Sequence, residues 1–252
     1  MKVFVINLKD SVVRRKKCEQ VLHGLDFPYE FVEAVDGRGK DAGEMSDLYT
    51  DRLRKVHSVR PMSGGEMGCF LSHLRVMEQI ANGDLPWAVI MEDDVKLVGD
   101  LNQLMHSLAV YEEHWELLYL HRHIASRKEV IEKAIDDHYS IASLRYYDMG
   151  TQCYAVTKGA ARKFLDSITE IHDAIDMVLC RPWFHGCVIR AIDPPIVCHA
   201  LEDESTIQND PPKLMRYEYD LLSLIFVKAR KKWWRLSNWI LFRYYAHIKK
   251  MI

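Results

Sequence analysis

A short apolar run, Ala88-Val89-Ile90-Met91, passes without a turn residue into three consecutive carboxylates, Glu92-Asp93-Asp94. An uninterrupted apolar run of that length predicts a buried strand. Strands buried on both faces belong to sheets covered by helices, and in open α/β sheets ligands bind beyond the carboxyl ends of the strands. Three adjacent carboxylates repel one another, so they ionise together only beside a cation or basic partners. Mg²⁺ or Mn²⁺ accepts carboxylate oxygens and substrate phosphates in one shell. Taken alone, the triplet equally describes a solvated acidic turn or a helix N-terminal cap, so its context has to decide.

The flanking sequence predicts an α/β domain. Val3 to Leu8 is a second apolar run, and Ser11 then stands where an N-cap would start a basic helix reaching about Leu25. Tyr29 to Val35 predicts another strand, ending at the turn pair Asp36-Gly37. Strand, helix, strand is the opening of a parallel sheet. Residues 38 to 62 are polar and read as a long loop with some helix. Met67, Phe70, Leu71, Leu74, Met77 and Ile80 then recur at helical spacing, with Ser63 and Glu66 placed for a capping box. Further helices are expected over Leu101–Val110, from Lys158 to about Ile168, and over Ile175–Leu179. Further strands are expected at Leu117–Leu120, Cys153–Val156, Val188–Ile192 and Ile196-Val197. Residues 124 to 148 form a hairpin or an excursion near the site. One domain over residues 1–210 is followed by a different kind of tail over 211–252.

Composition removes several classes. A net charge of −2 over 252 residues does not describe a nucleic-acid binder. Six cysteines without a C-x-x-C pair read as buried free thiols in a reducing compartment. The start of the chain has no secretory pattern, and no apolar run is long enough to cross a bilayer. The expected location is cytoplasmic, at most attached to a membrane surface. No P-loop or dinucleotide-binding glycine fingerprint is present. His121 and His123 alternate along a strand end, but no matching ligand stands at zinc-site spacing.

The acidic triplet is one member of an ordered set. Val5-Ile6-Asn7-Leu8 with Arg14-Arg15 comes first, then Ala34-Val35-Asp36-Gly37, then Gly65-Glu66-Met67-Gly68-Cys69-Phe70-Leu71-Ser72-His73. Ile90-Met91-Glu92-Asp93-Asp94 follows, then Tyr154-Ala155-Val156 with Gly159-Ala160, and finally Asp176 with Ser205-Thr206-Ile207. In this order and spacing the set resembles glycosyltransferase family 25, which contains bacterial lipooligosaccharide sugar transferases and collagen galactosyltransferases. The resemblance covers residues 1 to about 210. It implies a GT-A-like fold, a central mixed sheet flanked by helices, with a UDP-galactose or UDP-glucose donor and inversion at the anomeric carbon. It also implies that Glu92 and Asp94 stand as the outer acids of the family's D-x-D metal motif, holding Mn²⁺ or Mg²⁺. Here the first acid is Glu, whose longer side chain can reach the sugar instead of the ion.

Roles follow from these positions. Asn7, Leu8 and Arg14 are candidates for the nucleotide pocket, because a guanidinium fork suits a diphosphate. Arg15 reads equally as part of an exposed basic face. The resemblance places Ser72 and His73 near the base or the donor pyrophosphate, although His73 also fits a core histidine bonded to backbone. Gly64-Gly65 lets backbone approach a ligand, and Gly68 lets a helix pack closely. Asp94 is the first choice for the metal, Asp93 for ribose or sugar hydroxyls, and His199 for a late histidine in the metal shell. Single displacement requires a base to take the acceptor proton. Asp176 is the leading candidate, with Asp173 and Asp148 as alternatives.

From Leu221 to Ile252 there is no acidic residue. Lys228, Arg230, Lys231, Lys232, Arg235, Arg243, Lys249 and Lys250 are interleaved with Trp233, Trp234, Trp239, Phe242, Tyr244 and Tyr245. Leu236, Ile240, Tyr244 and Ile248 share one helical face. That pattern describes a helix on an anionic bilayer, with packing on the domain as the competing reading, favoured for Leu221 to Val227. A lipid-linked glycan such as lipooligosaccharide, at the inner face of a bacterial inner membrane, is the matching acceptor. Two other functions compete: a metal-dependent nucleotidyl or phosphoryl transferase, and a non-catalytic carbohydrate- or membrane-binding protein on the same fold.

Overall fold

A computed structural model describes residues 1–111, 115–122, 130–144, 150–199, 217 and 221–247. Asp148, Ser205, Thr206, Ile207, His123 and Ile248, to which the sequence assigns features above, lie outside the described residues. The elements in chain order are β1 (Val3–Asn7), α1 (Val12–Val21), β2 (Tyr29–Glu33), α2 (Ala42–Met45), α3 (Asp51–His57), α4 (Gly64–Asn82), β3 (Trp87–Glu92), β4 (Val95–Leu97) and α5 (Leu101–Val110). They continue with β5 (Leu117–Tyr119), β6 (Val130–Ala134), β7 (Ser140–Ser143), β8 (Cys153–Thr157), α6 (Lys158–Ser167), α7 (Ile175–Leu179), α8 (Pro182–His185), β9 (Ile189–Asp193), β10 (Val197–His199) and α9 (Leu221–His247).

Eight strands form one mixed sheet in the order β2-β1-β3-β8-β5-β9-β7-β6. The β1 strand pairs in parallel with both β2 and β3, and β5 pairs in parallel with β9. Between β3 and β5, β8 runs antiparallel to each. The side-chain period of two sends alternate residues to opposite faces. Phe4, Ile6, Ala88 and Ile90 therefore join the core under α4, α6 and α9. Val3, Val5, Val89 and Met91 join the core that includes Leu104, Met105 and Leu108 of α5. This is the helix-flanked mixed sheet expected from the sequence.

Local departures have local causes. The first helix ends at Val21, four residues short of Leu25, and Ser11 occupies its N-cap without a side-chain capping bond. Strand β2 stops at Glu33 because the Val35 amide donates to Ser72 Oγ, at 2.8 Å, instead of to a neighbouring strand. The polar stretch 38–62 holds two short helices, capped by the Asp41 side chain and the Thr50 hydroxyl. Both bonds of the capping box form: the Glu66 amide donates to Ser63 Oγ at 3.1 Å, and the Ser63 amide donates to Glu66 Oε2 at 2.9 Å. Helix α4 also meets the loop after β2 at backbone contact. A Cβ on Gly64 would fall 2.0 Å from the Gly37 carbonyl oxygen, and one on Gly68 would fall 2.4 Å from that of Val35. Gly64 thus serves a packed loop, not the ligand approach expected of it.

Helix α9 is docked well beyond Val227. Val227, Asn238 and Phe242 are buried, and they lie with Trp234 and Tyr245 on one face at spacings of three, four and seven residues. That face packs on α3 and α8. The Arg181 guanidinium lies 5.3 Å from the Trp234 ring, and Trp183 and Tyr245 have ring centroids 6.0 Å apart. The opposite face exposes Ile225, Phe226, Trp233, Leu236, Ile240 and Tyr244. No helix among the described residues is long and apolar enough to cross a membrane.

Candidate functional site

The parallel strands β1, β3 and β5 all end at one edge of the sheet, and antiparallel β8 begins there. Topology alone therefore collects Asn7, the Glu92-Asp93-Asp94 triplet, His121 and the Thr151-Gln152 pair. Gly150 starts this last approach at φ +123°, where a Cβ would fall 2.8 Å from His121 Nε2. The Glu92 amide then donates to the Gln152 carbonyl at 2.9 Å.

The three acids point to different partners. Asp93 is held from the β1 side: Asn7 Nδ2 donates to its Oδ2 at 2.7 Å, and Arg14 Nη1 to its Oδ1 at 3.1 Å. Burial pushes the Asp93 carboxyl up, Asn7 and Arg14 oppose the rise, and the neighbouring Glu92 charge adds to it. Asp94 places Oδ2 3.7 Å from the same Arg14 nitrogen. Glu92 belongs to α4 and β8. Thr151 Oγ1 donates to its Oε1 at 2.5 Å, and His73 Nε2 stands 3.5 Å from the same oxygen. Burial alone would raise the Glu92 carboxyl, but the His73 imidazole and the Thr151 hydroxyl outweigh it and hold the group below its usual range.

Helix α4 supplies the second wall. His73 is fully buried, with Nδ1 2.9 Å from the Tyr154 hydroxyl oxygen. Cys69 precedes it by one turn on the same helix face. Burial pushes the Cys69 thiol well above its ordinary value, and the charges of Glu92, Asp176 and Asp94 add to the rise. Tyr154 is pushed up in the same way, so its hydroxyl stays protonated. Among the described residues, one set of three potential metal-ligating atoms lies mutually within 4.8 Å, from Cys69, His73 and Glu92. A thiol and an imidazole beside one carboxylate do not make the all-oxygen shell that Mg²⁺ demands, and Asp94 is not part of the set. Among the described residues Glu92 and Asp94 lie outside any such three-ligand oxygen set, and as two carboxylates they would hold Mn²⁺ or Mg²⁺ with diphosphate oxygens and water completing the shell.

The remaining candidates divide. Asp176 opens α7, which packs on α4, and its charge reaches both Cys69 and Glu92. Burial raises its carboxyl, which suits a group that must take a proton near neutral pH. Asp173 instead lies in a buried structural cluster, 3.1 Å from Arg54 Nη1 and 2.8 Å from Arg181 Nη1. Ser72 is buried, and its hydroxyl is occupied by the Val35 amide and the Gly68 carbonyl, so it fastens a loop. Leu8 follows the end of β1 beside Asn7. His199 pairs through its backbone with Val95, one residue past the triplet; its side chain lies outside the described residues. Sequence reasoning gave Cys69, Thr151 and Tyr154 no role, although the four-residue spacing of Cys69 and His73 on a predicted helix was a usable signal.

An α/β domain with an acidic, partly buried site at the exits of its parallel strands is the class this geometry defines. Within that class, the model of glycosyltransferase family 25, described as an LPS biosynthesis protein family, matches residues 1–179. The chain belongs to this family. Procollagen galactosyltransferase 2 of Mus musculus is 31% identical over 172 residues, covering 65% of this chain and 27% of that protein. The probable inactive glycosyltransferase 25 family member 3 of Bos taurus is 32% identical over 173 residues, covering 66% and 28%. The chain thus spans about a quarter of the length of these relatives. A glycosyltransferase involved in glycosylation of the major capsid of PBCV-1 superposes with a TM-score of 0.43 at 10% identity, covering 92% of this chain and 98% of that one.

Proposed function

We propose that the chain transfers a hexose, galactose or glucose, from a UDP-sugar to a hydroxyl of a glycan acceptor, with inversion at the anomeric carbon. Family membership and the galactosyltransferase relatives support the reaction class. The observation that carries the reading is the pairing of Arg14 with Asp93 and Asp94 at the strand-exit edge; Asp176, on the helix that packs against α4, is the base read beside it. Arg14 is a cation at that edge, and an arriving diphosphate competes with Asp93 and Asp94 for its guanidinium. Asp176 takes the acceptor proton as the hydroxyl attacks, and the UDP leaves from the opposite side of the sugar. No nucleophile of the protein is needed; Mn²⁺ or Mg²⁺ held by Asp94 beside the diphosphate would neutralise the charge of the departing UDP. The test is UDP binding followed by ligand-observed NMR. Saturation transfer to the UDP protons is expected and should weaken in Arg14→Ala; transfer unchanged in that variant contradicts the placement.

The acceptor is read as a lipooligosaccharide glycan at the cytoplasmic face of a bacterial inner membrane. The family's description as an LPS biosynthesis family supports this. So does the outer face of α9, where exposed Trp233, Leu236 and Ile240 are flanked by Lys228, Lys232, Arg235 and Arg243. Apolar and aromatic side chains between basic flanks suit an anionic surface, each Lys or Arg adding about 1 kcal/mol.

A further inference from the structure

We propose that Cys69, His73 and Glu92 form a binding site for a borderline-soft divalent cation of the Zn²⁺ kind. The proposal stands apart from the transfer reaction, with which it shares only Glu92. The ligand atoms already lie mutually within 4.8 Å. One edge of the triangle, His73 Nε2 to Glu92 Oε1, is 3.5 Å. Zinc bonds of about 2.0–2.2 Å at tetrahedral angles set nitrogen and oxygen ligands about 3.3–3.6 Å apart.

A second observation points the same way. His73 Nε2 is buried and receives no well-formed hydrogen bond, although the residue has no solvent access at all. The 3.5 Å approach to Glu92 is long for a proton on Nε2, and a cation between imidazole and carboxylate would replace that proton and hold both groups at shorter range. The other ring nitrogen, Nδ1, sits 2.9 Å from the Tyr154 hydroxyl oxygen. That is the outer-shell arrangement by which proteins fix the tautomer and orientation of a ligating histidine. With the ion bound, Nδ1–H donates to the Tyr154 hydroxyl oxygen, which leaves the Nε2 lone pair for the metal. Cys69 binds as the thiolate, and its proton passes to solvent as the ion enters.

Thiolate, imidazole and carboxylate together select zinc over magnesium or calcium. Three protein ligands leave one position of a tetrahedron open, the pattern of a reactive rather than a purely structural site. The Glu92 side chain keeps 24% of its surface accessible, so the cluster is not sealed from the strand-exit edge.

The experiment uses the full chain, stripped with a chelator and titrated with Zn²⁺ by calorimetry, then loaded with Co²⁺ for absorption spectroscopy. One equivalent of Zn²⁺ should bind, and Co²⁺ should give a near-ultraviolet thiolate-to-metal charge-transfer band. Cys69→Ser should lose the band, Cys198→Ser should keep it, and Tyr154→Phe should weaken Zn²⁺ binding by about 10- to 100-fold. Circular dichroism checks that each variant remains folded. Equal Zn²⁺ affinity in the parent chain and Cys69→Ser, or a Co²⁺ complex without the sulfur band, overturns the proposal.

Discussion

His73 turns one ring nitrogen toward the Tyr154 hydroxyl at 2.9 Å and the other toward the Glu92 carboxylate at 3.5 Å. A helix, a strand and an antiparallel neighbour are joined through one imidazole. Replacing Tyr154 by Phe removes the hydroxyl and strands a buried ring nitrogen. The expected cost is about 1–3 kcal/mol of folding stability. Urea denaturation reads it as a lowered midpoint with an unchanged slope. An unchanged midpoint would show that the bond contributes nothing.

The proposed mechanism gives Asp176 the proton-transfer role. Asp176→Asn should lower kcat by about 10²- to 10⁴-fold. The KM for the donor should stay near its parent value, because the residue is assigned to the acceptor proton. In the parent enzyme, activity should rise with pH as the raised Asp176 carboxyl loses its proton, and this limb should vanish in the Asn variant. A donor KM that climbs in parallel with the loss of kcat would assign Asp176 to binding instead.

Glu66 ties the capping box to Arg60, whose Nη1 and Nη2 donate to its carboxylate at 2.7 and 2.8 Å. Burial alone would raise the carboxyl; Arg60 and the Ser63 amide outweigh it and hold it below the usual carboxylate range. A carboxyl depressed in the fold adds stability that is complete above its unfolded pKa and is lost as pH falls through the folded value. Glu66→Gln should therefore be less stable than the parent at neutral pH, by about 1–2 kcal/mol. The gap should close as pH drops below about 4.5. Thermal melts at several pH values follow it, and a gap that persists in acid would exclude the ion pair as its source.

The two faces of α9 should separate cleanly by mutation. Phe242 is buried, and Phe242→Ala should cost about 3–5 kcal/mol. A Leu236→Ser, Ile240→Ser double variant changes exposed positions and should leave the melting temperature nearly unchanged. Cosedimentation with anionic vesicles should fall in the double variant alone. Equal vesicle binding by the double variant and the parent removes the membrane reading of that face.

The strand ending in Glu92-Asp93-Asp94 and the capped helix before it were legible in the sequence because each obeys a local rule of period or capping. The insertion of β8 between β3 and β5 was not, because antiparallel pairing across distant segments leaves no local trace. The same reason hid Thr151, which reaches Glu92 only because β8 begins at the edge where β3 ends. The family resemblance points Ser72 toward the donor. The helix instead turns it to the loop at Val35, about a hundred degrees away. For α9 the amphipathic pattern was visible, but one stripe of aromatics could not say which residues meet the domain. Val227, Trp234 and Tyr245 take that side.

Donor turnover decides whether the chain is a sugar transferase. UDP release should be measured from UDP-galactose and UDP-glucose, each with Mn²⁺, with Mg²⁺ and with neither, for the parent chain and for folded Asp94→Ala. The account predicts UDP from at least one sugar with the parent chain and a loss of about 10²-fold or more in the variant. Release at the same rate from both proteins, or none from either sugar under any of these conditions, would contradict it.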